Sequence, residues 1–263
     1  MREKKEYGKL TQDDIKLILP LLPQLEEVRG ELQDLIAKKP EKFAKKFLTT
    51  GFVWAHLYEV PFLQLLFAFL AVAGVDKDVA RIAAQDEPIK ALLGFVHEIQ
   101  DTDWTGGSGG KFTHGDFLGY LQAIVGNLDC LVIYGSYLND LLADAQKGDI
   151  DALFKAIRID PSVVTGPTAR NLISFSVIAG EPGFIDEVRK AMAGKTGKQT
   201  TYLQKFRFLM QLLHEVDALG LPTKELSDLM FAVGAYDRSP SAAKNVSELI
   251  LKAKAMKKNA ISK

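Results

Sequence analysis

Apolar positions recur at spacings of three and four along nearly the whole chain, which is the signature of helices with one buried face. Thr11-x-x-Asp14 opens the first of them as a capping box of the looser kind, and Pro20 and Pro23 soon end it. Leu25, Val28, Leu32, Leu35 and Ile36 mark the next face, with Glu27, Glu31 and Asp34 elsewhere on the wheel. Pro40 starts a helix that runs to about Thr50. Residues 52–73 are strongly apolar, Asp76 caps the segment that follows, and Pro88 opens a helix through Gln100.

The pattern stops at DTDWTGGSGGKFTHGD, residues 101–116. Four glycines within five positions cannot sustain a helix, so this stretch reads as a loop. Residues 116–145 then form one long or kinked helix, interrupted by Gly119, Gly126 and Gly135. Shorter helices follow at 149–158, 168–179, 183–193, 199–219, 223–233 and 242–257, separated by glycine and proline. In the last one Val246, Leu249, Ile250, Ala253 and Met256 make the apolar face, while Lys244, Glu248 and Lys252 form a charge ladder.

These elements predict an all-α, multi-helical globular protein. A central apolar helix pair, about 52–75 and 117–142, is wrapped by amphipathic helices, and the C-terminal half is an array of shorter ones. The glycine-rich connector at 106–115 divides an N-terminal half, 1–105, from a C-terminal half, 116–263; a single continuous domain is the alternative. Gly148-Asp149-Ile150 and Gly180-Glu181-Pro182 lie 32 residues apart and each precedes a helix, as in a helical solenoid. Two units without a third fall short of a repeat array.

Composition changes this picture in two places. A lone cysteine, Cys130, sits among Leu128, Leu131, Val132 and Ile133, which suits a reduced core thiol and a cytoplasmic location. The N-terminus lacks the apolar run of a signal peptide. The net charge is zero over 263 residues, yet the charges are segregated. Residues 51–147 hold 5 basic and 12 acidic groups, whereas 241–263 hold 6 and 1. A basic terminal helix is therefore a testable contact surface despite the neutral sum.

Chemical signatures are sparse. Gly110-Lys111 and Gly194-Lys195-Thr196 look like phosphate loops, but both lack the first glycine and neither follows a strand. Asp101, Asp103, Thr105 and Gly106 fit positions 1, 3, 5 and 6 of a calcium loop, but Phe112 stands where the bidentate Glu belongs. Asp101, Asp103, Trp104, His114 and Asp116 remain the candidate cleft or loop residues, with Asp101, Asp103 and Thr105 a weak calcium set. His56-x-x-Glu59 and His214-x-x-Asp217 each put two potential ligands on one helix face, but no Glu-x-x-His, Cys-x-x-Cys or His-Glu-x-x-His motif occurs. His56 reads as an interior or interfacial histidine, and His97 and His214 as partly exposed. Burial and the adjacent Asp129 raise the Cys130 thiol, which is wrong for a nucleophile. No Gly-x-Ser-x-Gly elbow occurs.

The run Phe62–Val75 is too short for a membrane span, and Phe117–Leu142 carries Gln122, Asn127, Asp129 and Asn139. Core helices of a soluble bundle account for both; insertion as a membrane-active protein is the competing reading. Lys244, Lys252, Lys254, Lys257 and Lys258 are the candidate nucleic-acid contacts. Against them, the connection between the last two helices is about twice a helix-turn-helix turn, and arginine is scarce. The leading expectation is a non-catalytic cytoplasmic interaction or adaptor protein without a cofactor. Its partner is a protein, and a homo-oligomer is compatible. Nucleic-acid binding through the basic helix is the main alternative. An enzyme site assembled only by folding would leave no trace in the spacing.

Overall fold

The computed structural model describes residues 6–38, 54–100, 114–194, 201–237 and 242–261. Among these the chain is all-α apart from a two-residue antiparallel pair, Glu6–Tyr7 with Leu10–Thr11. The helices are α1 (Gln12–Ile18), α2 (Leu22–Lys38), α3 (Phe62–Ala73), α4 (Asp76–Ala83), α5 (Pro88–Gln100) and α6 (His114–Tyr134). They continue as α7 (Leu138–Gln146), α8 (Ile150–Ile159), α9 (Pro167–Ala179) and α10 (Pro182–Ala193). The last three are α11 (Thr201–Glu215), α12 (Thr223–Ala232) and α13 (Ala242–Ile261). Short 3₁₀ turns occupy Leu19–Leu21, Trp54–Glu59 and Pro161–Thr165. The helix expected from Pro40 to Thr50 lies outside the described residues.

Two compact units form, each assembled from segments discontinuous in sequence. The first takes Met1–Pro23, Leu131–Gly135 and Gln199–Lys263. Its core gathers Ile15 and Leu19 of the N-terminal segment with Leu209 and Leu213 of α11, Leu226 and Met230 of α12, and Val246 and Ile250 of α13. The turn Gly8-Lys9 closes against this unit only because residue 8 is glycine. Its φ is +63°, and a Cβ there would stand 2.2 Å from the Val216 carbonyl oxygen.

The second unit takes Gln24–Cys130 and Ser136–Lys198, on both sides of the glycine-rich connector. Within it α3 packs on α4 and α4 on α5. Then α7 packs on α8, and α9 on α10; α8 also packs on α10, and α9 touches α7. First helix meets first helix and second meets second, so α7–α8 and α9–α10 are two stacked helical pairs. The buried or half-buried positions repeat accordingly. Leu138, Leu141, Leu142 and Ala145 of α7 match Ala169, Leu172, Ile173 and Ser176 of α9, an offset of 31 residues. Ala152, Leu153 and Ala156 of α8 match Phe184, Ile185 and Val188 of α10, an offset of 32. Gly148 and Gly180 follow the first helix of each pair with positive φ. The 32-residue spacing seen in the sequence thus marks a two-unit stack.

Three local expectations change. The long helix predicted over 116–145 breaks at Gly135, whose φ of +83° ends α6 before Leu138 opens α7. Asp76 is the first residue of α4 rather than its cap; the cap is Val75, and Asp76 and Asp78 lie in the first turn, where the helix dipole favours them. The apolar run of α3 is not wholly interior. Phe62, Leu65 and Ala73 are buried, but Leu63 and Phe67 are exposed.

Candidate functional site

The sequence-derived loop set lies largely outside the described residues. Asp101, Asp103, Trp104 and Thr105 lie outside the described residues, as do the side chains of His114 and Asp116. His56 is exposed rather than interior. It sits in the 3₁₀ turn Trp54–Glu59, whose period of about three residues turns Ala55 and Tyr58 inward together and leaves His56 out. His214 is half-buried. No group of three or more metal-ligating side chains occurs among the described residues.

A buried carboxylate that the sequence did not single out organises the second unit. Asp160, 5 % exposed, stands between α8 and the turn Pro161–Thr165. Its Oδ2 accepts from Trp54 Nε1 at 2.8 Å, the Tyr58 hydroxyl at 2.7 Å and Gln122 Nε2 at 3.3 Å. Its Oδ1 accepts the Ser162 backbone N–H at 2.8 Å and caps the turn. Burial and the neighbouring Asp160 both push the Tyr58 phenol well above its usual range. Four donors from three segments converge on one carboxylate, so this cluster is a structural junction. Beside it Glu59 accepts the Thr168 backbone N–H at 3.0 Å and the Thr168 hydroxyl at 2.8 Å. A carboxylate thereby sits at the N-terminus of α9, where the helix dipole favours it. Glu59 therefore serves as a helix anchor and not as a partner of His56.

Cys130 is buried, and its thiol is pushed up by burial, Asp140 and Asp129. Asp129, 6 % exposed, is raised to about 6 because burial outweighs the Arg29 guanidinium at 3.4 Å. Neither group is set up for nucleophilic attack.

The basic terminal helix is partly turned inward. Lys254 Nζ donates to the Leu221 carbonyl at 2.6 Å, and Lys257 Nζ donates to Gln211 Oε1. Lys244 and Lys252 are exposed; the Lys258 side chain lies outside the described residues. Lys252 also shares an open groove of about 220 Å³ with Glu248, Asn245, Leu249, Leu203 and Tyr236. An acidic group beside it weakens the groove as a phosphate contact.

Among the described residues, the most exposed cluster of large apolar side chains is at the C-terminal end of α9. Phe175 is 69 %, Val177 63 % and Ile178 82 % exposed. The matching positions in α7, at the same offset of 31, are Asp144, Gln146 and Lys147, all exposed. Asp144 and Lys147 form a surface ion pair at 3.4 Å. Gln146 Nε2 donates to Thr168 Oγ1 at 2.7 Å and to Glu59 Oε2 at 3.2 Å, so Gln146 takes part in the stack. Asp144 and Lys147 show that the architecture accepts polar residues at the positions of Phe175 and Ile178. Compared with known protein families, curated proteins and solved structures, the chain matches none of them. The functional reading rests on its own side chains.

Proposed function

We propose that this chain is a non-catalytic helical interaction protein that binds a protein partner through the apolar end of α9. The observation that carries this reading is the exchange of Asp144, Gln146 and Lys147 in one helical pair for exposed Phe175, Val177 and Ile178 in the next. Clustered exposed apolar side chains at an edge of polar residues mark a contact surface. Stacked helical pairs can present such surfaces without distorting their own cores, because the outward face of a pair takes no part in the packing between pairs. A cytoplasmic location suits the buried, reduced Cys130.

Helix α6 contains the one described segment long and apolar enough to cross a membrane, Phe117–Tyr134, of which 61 % is buried inside the protein. That burial favours a core role for it and supports a protein partner over a bilayer.

The test is a photo-reactive phenylalanine analogue placed at position 178 in the living source cell, with the same analogue at position 147 as control. The expected result is a protein adduct from position 178 and none from 147. Adducts at neither position, or equally at both, overturn the reading.

A further inference from the structure

Two buried carboxylates of the second unit are held very differently. Asp160 takes four donors, three on Oδ2 and one on Oδ1. Asp129, 6 % exposed, meets one group among the described residues, the Arg29 guanidinium at 3.4 Å. That contact is longer than an ordinary hydrogen bond, and the Arg29 side chain is itself 29 % exposed. One long, half-solvated contact returns less than the burial of a negative charge costs, so the site favours the protonated acid.

The guanidinium stands on a thinly attached helix. Leu25, Arg29 and Leu32 recur at helical spacing along one side of α2, yet Leu32 is the only buried one among its described side chains. Val28 and the acidic Glu26, Glu27, Glu31 and Asp34 are exposed. Arg29 and Glu26 of α2 and Tyr58 of the 3₁₀ turn Trp54–Glu59 face Asp129, while Asp140 and Lys155 face the adjacent Cys130. Burial pushes both the Tyr58 phenol and the Cys130 thiol up, so both stay uncharged at neutral pH.

We infer that α2, from Gln24 onward, is a pH-operated strap that lies on α6 while Asp129 is protonated and lifts as Asp129 ionises. Lifting returns the carboxylate to water and gives up little else, namely the burial of Leu32 and the one long contact. Burial raises Asp129 from its ordinary 3.8 to about 6, so the closed strap holds the proton more tightly than the open one. Closure is therefore strongest below 3.8 and weakens as pH rises through about 6. The strap covers the α6 surface around Asp129 in a mildly acidic medium, and at neutral pH the open fraction grows.

Hydrogen exchange of the full chain at about pH 5 and about pH 7.5, corrected for the intrinsic exchange rate, tests this. Amides 25–32 are expected to exchange through a local opening well before the best-protected amides of α7 and α8. The opening constant of that segment is expected to be about ten-fold larger at the higher pH. Asp129→Asn carries no charge at either pH and loses the response. Arg29→Met leaves the opening almost unchanged at the lower pH and increases it at the higher, because only there did the guanidinium face a charge. A mere loss of helix packing raises it equally at both. An unchanged circular dichroism spectrum establishes that the variants are folded. The inference is overturned by an opening constant that is the same at both pH values, or by a response that survives Asp129→Asn. It is equally overturned if Arg29→Met raises opening to the same extent at both pH values, or if amides 25–32 exchange only together with those of α7 and α8.

Discussion

At the scale of single residues, the second unit depends on how closely Tyr58 approaches α6. A Cβ at Gly126 would lie 2.3 Å from the Tyr58 hydroxyl oxygen and 3.0 Å from its ring. That hydroxyl is held by Asp160 and cannot retreat without giving up a buried hydrogen bond. Gly126→Ala is therefore expected to destabilise the protein by about 2–3 kcal/mol despite the better helix propensity of alanine. Urea unfolding measures it, and a neutral or stabilising result would show that the ring moves freely. Asp129 makes a pH-dependent contribution. Its folded-state pKa of about 6 lies above the ordinary value of 3.8, so the folded protein holds this proton more tightly than the unfolded chain does. The resulting stability is fully present below 3.8 and is lost as pH rises through 6, a change of about 3 kcal/mol. Asp129→Asn should flatten this part of the stability–pH curve; an unchanged slope would assign the effect elsewhere.

At the scale of elements, end signals were legible because they are local chemistry. Thr11 and Asp14 cap each other's backbone as a capping box, with Asp14 Oδ2 accepting the Thr11 N–H at 2.8 Å and Thr11 Oγ1 accepting the Asp14 N–H at 3.2 Å. Thr11→Ala should cost about 1 kcal/mol, read as a lowered midpoint in denaturant; no change would mean that packing of Ile15 alone fixes α1. Proline and glycine likewise marked α5, α8, α9 and α10 to within a residue or so. Faces were less legible where composition was uniformly apolar. In α3 nothing in the letters distinguishes buried Leu65 from exposed Phe67; only the neighbours do. The lysines of α13 looked alike in sequence, yet Lys254 finds an acceptor in the connection between α11 and α12 and Lys257 one on α11, while Lys244 and Lys252 face solvent.

At the scale of the molecule, the two stacked helical pairs give a direct test of which surface residues the fold requires. Exchanging Phe175, Val177 and Ile178 for the Asp, Gln and Lys of the earlier pair should leave the unfolding free energy within about 0.5 kcal/mol. The same triple change should abolish the adduct from the α9 end when the photo-reactive group is moved to neighbouring Ser174. A large loss of stability would mean that these side chains serve folding. The all-α class, most helix boundaries and the 32-residue spacing were set by the sequence alone. Periodicity, caps and breakers act within a few residues and need no knowledge of what lies opposite. The Asp160 junction joins residues more than a hundred positions apart in the chain, the assignment of segments to units is discontinuous, and the uncovered end of α9 is defined by what fails to pack on it. Those features come from tertiary structure, because burial and convergence depend on long-range neighbours that no local pattern encodes.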